Sequence, residues 1–356
     1  MPAQKPNSKL LSVSVIIPVH KLTKAFDQCI NSTIKALRPC DEIIIVADGI
    51  DLNVLEFLSE KPQIKILANK KISGPGVARN LGALSAKGDI LFFIDSDVTM
   101  QPDTIQKVIS VFRYEKEIAA IIGSYDDEPA DKNFISQYKN LLHHYVHQTS
   151  NESASTFWGA CGAVKKDAFI SLGGYNEDYV KPSIEDIELG YRLVNAGYKI
   201  RLCKEIQVKH YKRWTFSLLI KTDFLNRALP WTRLMVHHNR FLNDLNLKNS
   251  SRFSVVLLFL SLVFLVISFW IKDFSLPTII ILFLLLTSNY HVYSFFKKKR
   301  GLLFALKVIP FHWLYFFYSG IAFGIVIVMD FLERTFFSSP GKTNIVANYL
   351  KKPVQE

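Results

Sequence analysis

The chain has 356 residues, with 43 Lys and Arg against 31 Asp and Glu, a net charge of +12 and a hydrophobic content of 49%. That length holds one soluble domain of about 200 to 250 residues and leaves room for something else. Its four cysteines, Cys29, Cys40, Cys161 and Cys203, show no metal-ligand spacing and read as free packing thiols in a reducing compartment.

Residues 1–11 are polar, contain Lys5 and Lys9 and lack a long apolar core, so no signal peptide is evident. The amino-terminal part is therefore expected in the cytoplasm. From there strands are predicted at 13–17, 42–46, 64–67 and 90–94, with helices at 24–36, 53–59 and 75–86 between them. Strands alternating with helices imply βαβ units and a mainly parallel, Rossmann-like sheet in an α/β domain over 12–212. Two further strands are predicted at 119–123 and 157–164.

Directly behind the apolar run 90–94 comes Asp95-Ser96-Asp97. A buried strand that ends this way delivers two carboxylates to its carboxyl edge, where open α/β sheets hold their ligands. Mg²⁺ characteristically uses one or two carboxylates plus substrate phosphates, so a metal-assisted nucleotide site is the first expectation. A solvated turn is the plain alternative, since turns favour Asp for their own reasons.

Beyond residue 204 the character changes. Lys and Arg outnumber Asp and Glu as far as Arg252, among Trp214, Phe216, Trp231, Met235 and Phe241. Trp231, Leu234, Met235, Leu242 and Leu245 recur at helical spacing, with Arg233, His237, Arg240 and Asp244 elsewhere on the wheel, so 213–252 is predicted to form amphipathic helices. A basic amphipathic helix before a membrane span suits the bilayer interface. A soluble core-facing helix is the alternative, and nucleic acid is not expected as a partner. Residues 253–271, 274–296 and 308–329 then lack Asp, Glu, Lys and Arg, and each is close to the roughly 20 residues that a crossing helix needs. Three spans within 253–331 are predicted. Lys297-Lys298-Lys299-Arg300 between the second and third runs keeps that loop, and with it the soluble domain, on the cytoplasmic side. The tail 332–356 would then lie outside, although Lys342, Lys351 and Lys352 argue against so simple a count.

Val13-Ser-Val-Ile-Ile-Pro-Val19, Val46-Ala-Asp-Gly49, Gly74-Pro-Gly-Val-Ala-Arg-Asn-Leu-Gly82, Asp95-Ser-Asp97, Gly173-Gly-Tyr175 and Ile184-Glu-Asp-Ile-Glu-Leu-Gly-Tyr-Arg192 follow one another in this order. Order and spacing resemble the family 2 glycosyltransferases of the GT-A fold, over about residues 12–214. The resemblance implies that Pro18, Val19 and Asp48 hold the nucleotide base, that Asp95 and Ser96 contact the nucleoside, and that Asp97 binds Mg²⁺ or Mn²⁺ bridging the diphosphate. Chemistry agrees, because a diphosphate leaving group gathers charge that a divalent cation stabilises. The chain offers Val46-Ala47-Asp48-Gly49-Ile50 where the family commonly has Asp-Asp-Gly-Ser, so one acid of the usual pair is missing.

Arg79 can pair with phosphate or with the acidic site. Glu185-Asp186 follows Ser183 in a pattern that also caps helices, while the resemblance makes the acid of this motif the general base. Asp186 is the first choice and Glu185 the second, since neighbours on a helix face different ways. His210-Tyr-Lys-Arg-Trp214 resembles the Gln-x-x-Arg-Trp element of membrane-bound polysaccharide synthases with His in place of Gln, which argues against processive polymerisation. His210 is read as a second metal ligand or as a structural histidine. Trp214 is placed against an acceptor sugar, and Lys212 and Arg213 against diphosphate or a lipid headgroup. The expected activity is inverting transfer of a sugar from a nucleotide-diphosphate donor, UDP-sugar favoured, to a lipid or lipid-linked saccharide at the cytoplasmic face of the inner membrane. A polysaccharide synthase that exports its product, or a non-enzymatic nucleotide-sugar-binding membrane scaffold, are the alternatives.

Overall fold

The computed structural model describes residues 10–237, 244–245 and 248–336. The chain divides into two compact units. One takes in the sequence through Ser124 together with Glu152–Tyr211, and the other Tyr125–Asn151 together with the sequence from Lys212 onward. The first ends one residue short of the predicted domain boundary at 212, but the segment Tyr125–Asn151, read as part of that domain, groups with the carboxyl-terminal helices.

A single sheet is built from β1 (Val13–Val19), β2 (Glu42–Asp48), β3 (Ile64–Asn69), β4 (Ile90–Ile94), β5 (Val98–Met100), β6 (Ile118–Tyr125), β7 (Ser153–Ala154), β8 (Cys161–Lys165) and β9 (Lys199–His210). Its order is β3-β2-β1-β4-β8-β6-β9-β5, with β7 paired to β9. The pairs β1–β2, β1–β4 and β2–β3 are parallel. Here the strands read as unbroken apolar runs because helices cover both faces, and Ile43, Ile44, Ile45 and Val46 are fully buried. The pairs β4–β8, β6–β8, β5–β9 and β7–β9 are antiparallel. The sheet is therefore mixed: the first four strands in its order are parallel, and β8 runs antiparallel to both of its neighbours. β5 follows β4 after three residues, far short of the crossover that a parallel neighbour needs.

Two expectations need correction. The strand predicted at 157–164 starts only at Cys161, because residues 157–160 form a loop that packs against an arginine described below. The twelve-residue strand β9 lies partly in what reads as a basic region. Its buried Ile200, Leu202, Ile206, Val208 and His210 alternate with charged neighbours, which is the period of a strand.

In the second unit, helix Phe134–Thr149 starts at Asn133, whose side chain accepts the Ser136 N–H at 2.9 Å. Helix Phe216–Ile220 runs into a π-helical stretch, Lys221–Ala228, and on into helix Leu229–His237. Arg240, Phe241 and Leu242 of the predicted interfacial helix lie outside the described residues, as do residues 1–9 and the tail lysines Lys342, Lys351 and Lys352. Among the described residues two helices, Asn249–Ser268 and Leu302–Phe336, are long and apolar enough to cross a membrane. The run predicted as a continuous second span instead breaks at Asn289 into Lys272–Ser288 and Tyr290–Arg300, bent by 59°, so the count is two, or three if the bent pair is one span. Asn289 interrupts the helix because its amide donates to Ser254 Oγ at 2.9 Å and to Leu285 O at 2.8 Å. The basic cluster 297–300 is not a loop but the last turn of a helix, where cations complement the helix dipole.

Candidate active site

The carboxyl ends of the parallel strands carry the chemistry. β1 ends in half-buried Pro18 and buried Val19, in register with Val46 and Ala47 of β2. The next residue of β2, Asp48, is 3% exposed. Its carboxylate accepts from the backbone N–H of Ser73 at 2.9 Å, from that of Gly74 at 3.0 Å and from Asn69 Nδ2 at 3.1 Å. Asp48 thereby fixes the entry to helix Pro75–Ser85, where Gly74 takes φ +95°, a conformation that L side chains rarely adopt.

Arg79, on the buried face of that helix, is the centre of the site. Its Nη2 donates to Asp95 Oδ1 at 2.7 Å and its Nη1 to Glu185 Oε1 at 3.0 Å. One guanidinium thus joins two acidic motifs far apart in sequence. Burial alone would lower the Arg79 pKa, but Asp95, Glu185 and Asp186 hold it well above its usual value. The cation also lies 5.3 Å from the Tyr175 ring centroid. Its Nε is buried and has no hydrogen-bond partner among the described residues. Gly159 passes against it: an added Cβ would sit 2.9 Å from Arg79 Cζ.

Glu185 is 4% exposed, with Oε2 accepting the Ser183 N–H at 2.8 Å. Helix Glu185–Asn195 starts after Ile184, whose own side chain makes no cap bond. Asp186 stands in the same first turn, its Oδ2 accepting the Gly159 N–H at 3.0 Å and its Oδ1 the Ile187 N–H at 2.8 Å. The two neighbours thus have different roles: Glu185 is committed to Arg79, and Asp186 faces the 157–160 loop.

Asp97 meets His210 through strand pairing. Val98 is in register with His210, the Tyr211 N–H donates to Asp97 O at 2.8 Å, and His210 Nε2 lies 3.5 Å from Asp97 Oδ2. The imidazole is 5% exposed and the carboxylate 36%. No group of three or more His, Cys, Asp or Glu able to hold a metal occurs among the described residues. One carboxylate beside one imidazole could still supply two ligands to a divalent cation that takes the rest from phosphate and water. Half-buried Ser96 lies between the two acids.

Arg213 and Trp214 belong to the second unit. Arg213 is 77% exposed, with Nε 3.8 Å from Asp131 Oδ2. Trp214 is buried, its N–H bonded to Ser136 Oγ at 2.7 Å and Lys212 Nζ 4.5 Å from its ring centroid. Cys29, Cys161 and Cys203 are buried free thiols whose pKa values burial pushes up, Cys203 to about 12, while Cys40 is exposed. Sequence reasoning gave Gly159, Asn80 and Tyr175 no role. Asn80 donates to Tyr175 O at 2.9 Å and accepts the Tyr175 N–H at 2.8 Å, tying the Gly173-Gly-Tyr175 segment to the helix that bears Arg79. The available signal was position alone: Asn80 directly follows Arg79, and Tyr175 closes the Gly173-Gly-Tyr175 run.

Residues 14–173 match the model of glycosyl transferase family 2, and residues 142–215 that of the N-terminal domain of galactosyltransferase. Glycosyltransferase GlyG of Streptococcus pneumoniae is 28% identical over 34% of this chain and 42% of its own length. The succinoglycan biosynthesis protein ExoA of Rhizobium meliloti is 25% identical over 65% of this chain and 76% of its own. The match thus spans about two fifths of GlyG, and 40% of a pre-mycofactocin glycosyltransferase of Mycobacterium tuberculosis. A mannosyltransferase from Pyrobaculum calidifontis, solved with GDP-Man and Mn²⁺, has a TM-score of 0.49 at 16% identity, over 65% of this chain and 64% of that one. The mixed sheet with its helices fits the GT-A class expected from the sequence. Residues 14–173, a little under half of the chain, are thus similar to glycosyl transferase family 2.

Proposed function

We propose that the protein is a membrane-anchored, inverting glycosyltransferase that moves a sugar from a nucleotide-diphosphate donor, UDP-sugar favoured, to a lipid or lipid-linked saccharide at the cytoplasmic face. The observation that carries this reading is Arg79, which binds Asp95 of the strand-end acids and Glu185 of the helix-start acids at 2.7 and 3.0 Å. These contacts support a reading in which donor and acceptor chemistry meet at one sheet edge. Names of relatives lend support, among them ExoA in succinoglycan biosynthesis and the O-antigen chain rhamnosyltransferase WbaN of Salmonella anatum.

In this reading Pro18 and Val19 flank the base, and Asp48 shapes the loop beside it. Asp97 and His210 would hold a divalent cation, Mg²⁺ or Mn²⁺, which would neutralise charge on the departing diphosphate. Asp186 accepts the proton of the acceptor hydroxyl as its oxygen bonds to the anomeric carbon and the bond to diphosphate breaks on the opposite face. Glu185, held by Arg79, positions rather than accepts. The basic stretch before the apolar segments favours a bilayer-borne acceptor.

The test incubates purified protein with a panel of nucleotide sugars and native membrane lipids, with and without divalent cation, and identifies products by mass. A metal-dependent lipid product is expected. Nucleotide binding without release of diphosphate would instead identify a scaffold. For topology, cysteines introduced at positions 221 and 299 should react with an impermeant thiol reagent only from the cytoplasm, and one at 273 only from outside. Labelling of 273 from the cytoplasm overturns the anchoring scheme.

A further inference from the structure

Arg79 spends its two terminal nitrogens on Asp95 and Glu185, and its Nε makes no hydrogen bond among the described residues. No third bond braces the fork from behind, so its aim depends on what touches its faces. Gly159 closes on one of them. An added Cβ there would lie nearer to Cζ, at 2.9 Å, than to Nη2 at 3.0 Å or Nη1 at 3.2 Å, which places it over the guanidinium plane rather than at its edge. The Tyr175 ring makes the other contact, its centroid 5.3 Å from Cζ, within the reach of a cation–π interaction. Burial pushes the Tyr175 phenol well above its usual pKa, so the ring meets the cation as a neutral face.

The Tyr175 hydroxyl is also buried and has no hydrogen-bond partner among the described residues, so nothing polar on that side chain holds the ring where it is. Backbone and packing do so instead. Asn80, next in the chain to Arg79 and 9% exposed, accepts the Tyr175 N–H at 2.8 Å and donates to Tyr175 O at 2.9 Å, the double exchange by which one strand residue holds another. The same amide donates to Glu177 Oε1 at 2.9 Å, which uses its second N–H. Gly174, at φ +73°, permits the approach, since an added Cβ would meet Asn80 Oδ1 at 2.5 Å. Held this way, the ring stands edge-on to Phe93, Phe169 and Phe157, with centroids 5.3, 5.6 and 6.5 Å away.

We propose that Tyr175, clamped by Asn80, is a positioning residue that aims the Arg79 guanidinium at Asp95 and Glu185 together. Consecutive residues on a helix face different ways. Arg79 can therefore reach the acids while Asn80 holds the segment whose ring supports it, so one helix carries both the cation and its brace. The inference rests on the reading of Asp95 as a donor contact, and adds what keeps that carboxylate's partner in place.

Isothermal titration of the full chain in detergent tests it, with UDP and Mn²⁺ as the probe, GDP and Mn²⁺ as the second, and thermal melting of the same variants alongside. Tyr175→Leu removes the ring face and should weaken nucleotide binding about tenfold or more, whereas Tyr175→Phe keeps the face, discards an unpartnered hydroxyl and should restore wild-type affinity. Asn80→Ala releases the clamp with every ring retained; it should weaken binding as Tyr175→Leu does, and it replaces that variant if Tyr175→Leu does not fold. A residue that acts only through Arg79 has nothing left to do without it, so in an Arg79→Gln background either change should add less than about twofold. Equal losses in Tyr175→Phe and Tyr175→Leu, wild-type affinity in a folded Asn80→Ala, or penalties that multiply in the Arg79→Gln background overturn the proposal. A wild-type chain that binds neither UDP nor GDP rejects the donor reading instead. The clamp is then decided by the melting temperatures, where Tyr175→Leu and Arg79→Gln should again fall short of additivity and full additivity overturns it.

Discussion

Each unit is organised around a buried cation, and the two are resolved differently. In the first, the Arg79 guanidinium serves two carboxylates, Asp95 and Glu185, with Asp186 and Asp97 further along the same edge, and Asp95 remains 34% exposed. Negative charge is in excess and faces outward. In the second, Lys139 and Asp223 answer each other one for one at 2.5 Å, with exposures of 16% and 5%. In the proposed function, that excess of carboxylates at a sheet edge would receive a cation and its phosphates. A matched pair between helices fixes geometry, because buried charges that lack partners are costly.

The largest expected effect strikes the first unit. Asp97→Asn should lower turnover by several orders of magnitude and weaken divalent-dependent donor binding, since an amide lacks the charge that holds the cation. Retention of more than about a tenth of the rate, a barrier change of only about 1.4 kcal/mol, would remove Asp97 from the metal site.

Next comes the split between neighbours. Asp186→Asn should cut kcat by about 10² to 10⁴ with donor KM nearly unchanged. Glu185→Gln should instead lower the melting temperature and raise donor KM, because it loosens Arg79. A folded Asp186→Asn with full activity would reject the base and point to an acceptor that attacks through phosphate.

The matched pair should respond in stability. Lys139→Met leaves Asp223 buried without its partner and should cost about 3 to 5 kcal/mol, read as an earlier thermal transition. Lys139→Met combined with Asp223→Leu should recover much of it. No recovery would mean that the pair serves binding rather than geometry. Burial alone would raise the Asp223 pKa and lower that of Lys139, yet Lys139 and Arg227 hold Asp223 below its usual value.

The smallest effect concerns Asp127, whose pKa its bond to Lys299 lowers. A carboxylate with a lowered folded pKa contributes stability above its unfolded value, near 3.9, that is lost as pH falls through the folded one. Both partners are about one-third exposed, so Lys299→Met should cost at most about 1 kcal/mol near pH 7. The gap between the two melting curves should close below about pH 4. A gap that widens there would exclude the ion pair as its cause.

Strands β1 to β4 were legible because buried parallel strands must be apolar throughout, and Asp95, Asp97, Glu185 and Asp186 stood out as acids at element ends. β9 was hidden because Lys199, Arg201, Lys204, Glu205 and Lys209 crowd its outward positions and swamp the alternation of its buried ones. The break at Asn289 was invisible within an uncharged run, since hydropathy does not register an amide that bonds to Ser254. Lys139 and Asp223 lie 84 residues apart, and neither sits in a motif. Pairing of that kind is a property of packing, which composition and spacing do not encode.

His210 reaches Asp97 only because β9 lies in register against β5. A slip of one residue would turn the imidazole to the opposite face. Arg79 likewise waits for Glu185, 106 residues further on. On the ribosome, then, a nascent chain that has emerged with all its strand-end acids still has no working centre. In the proposed reading the constellation would close only once synthesis has passed His210.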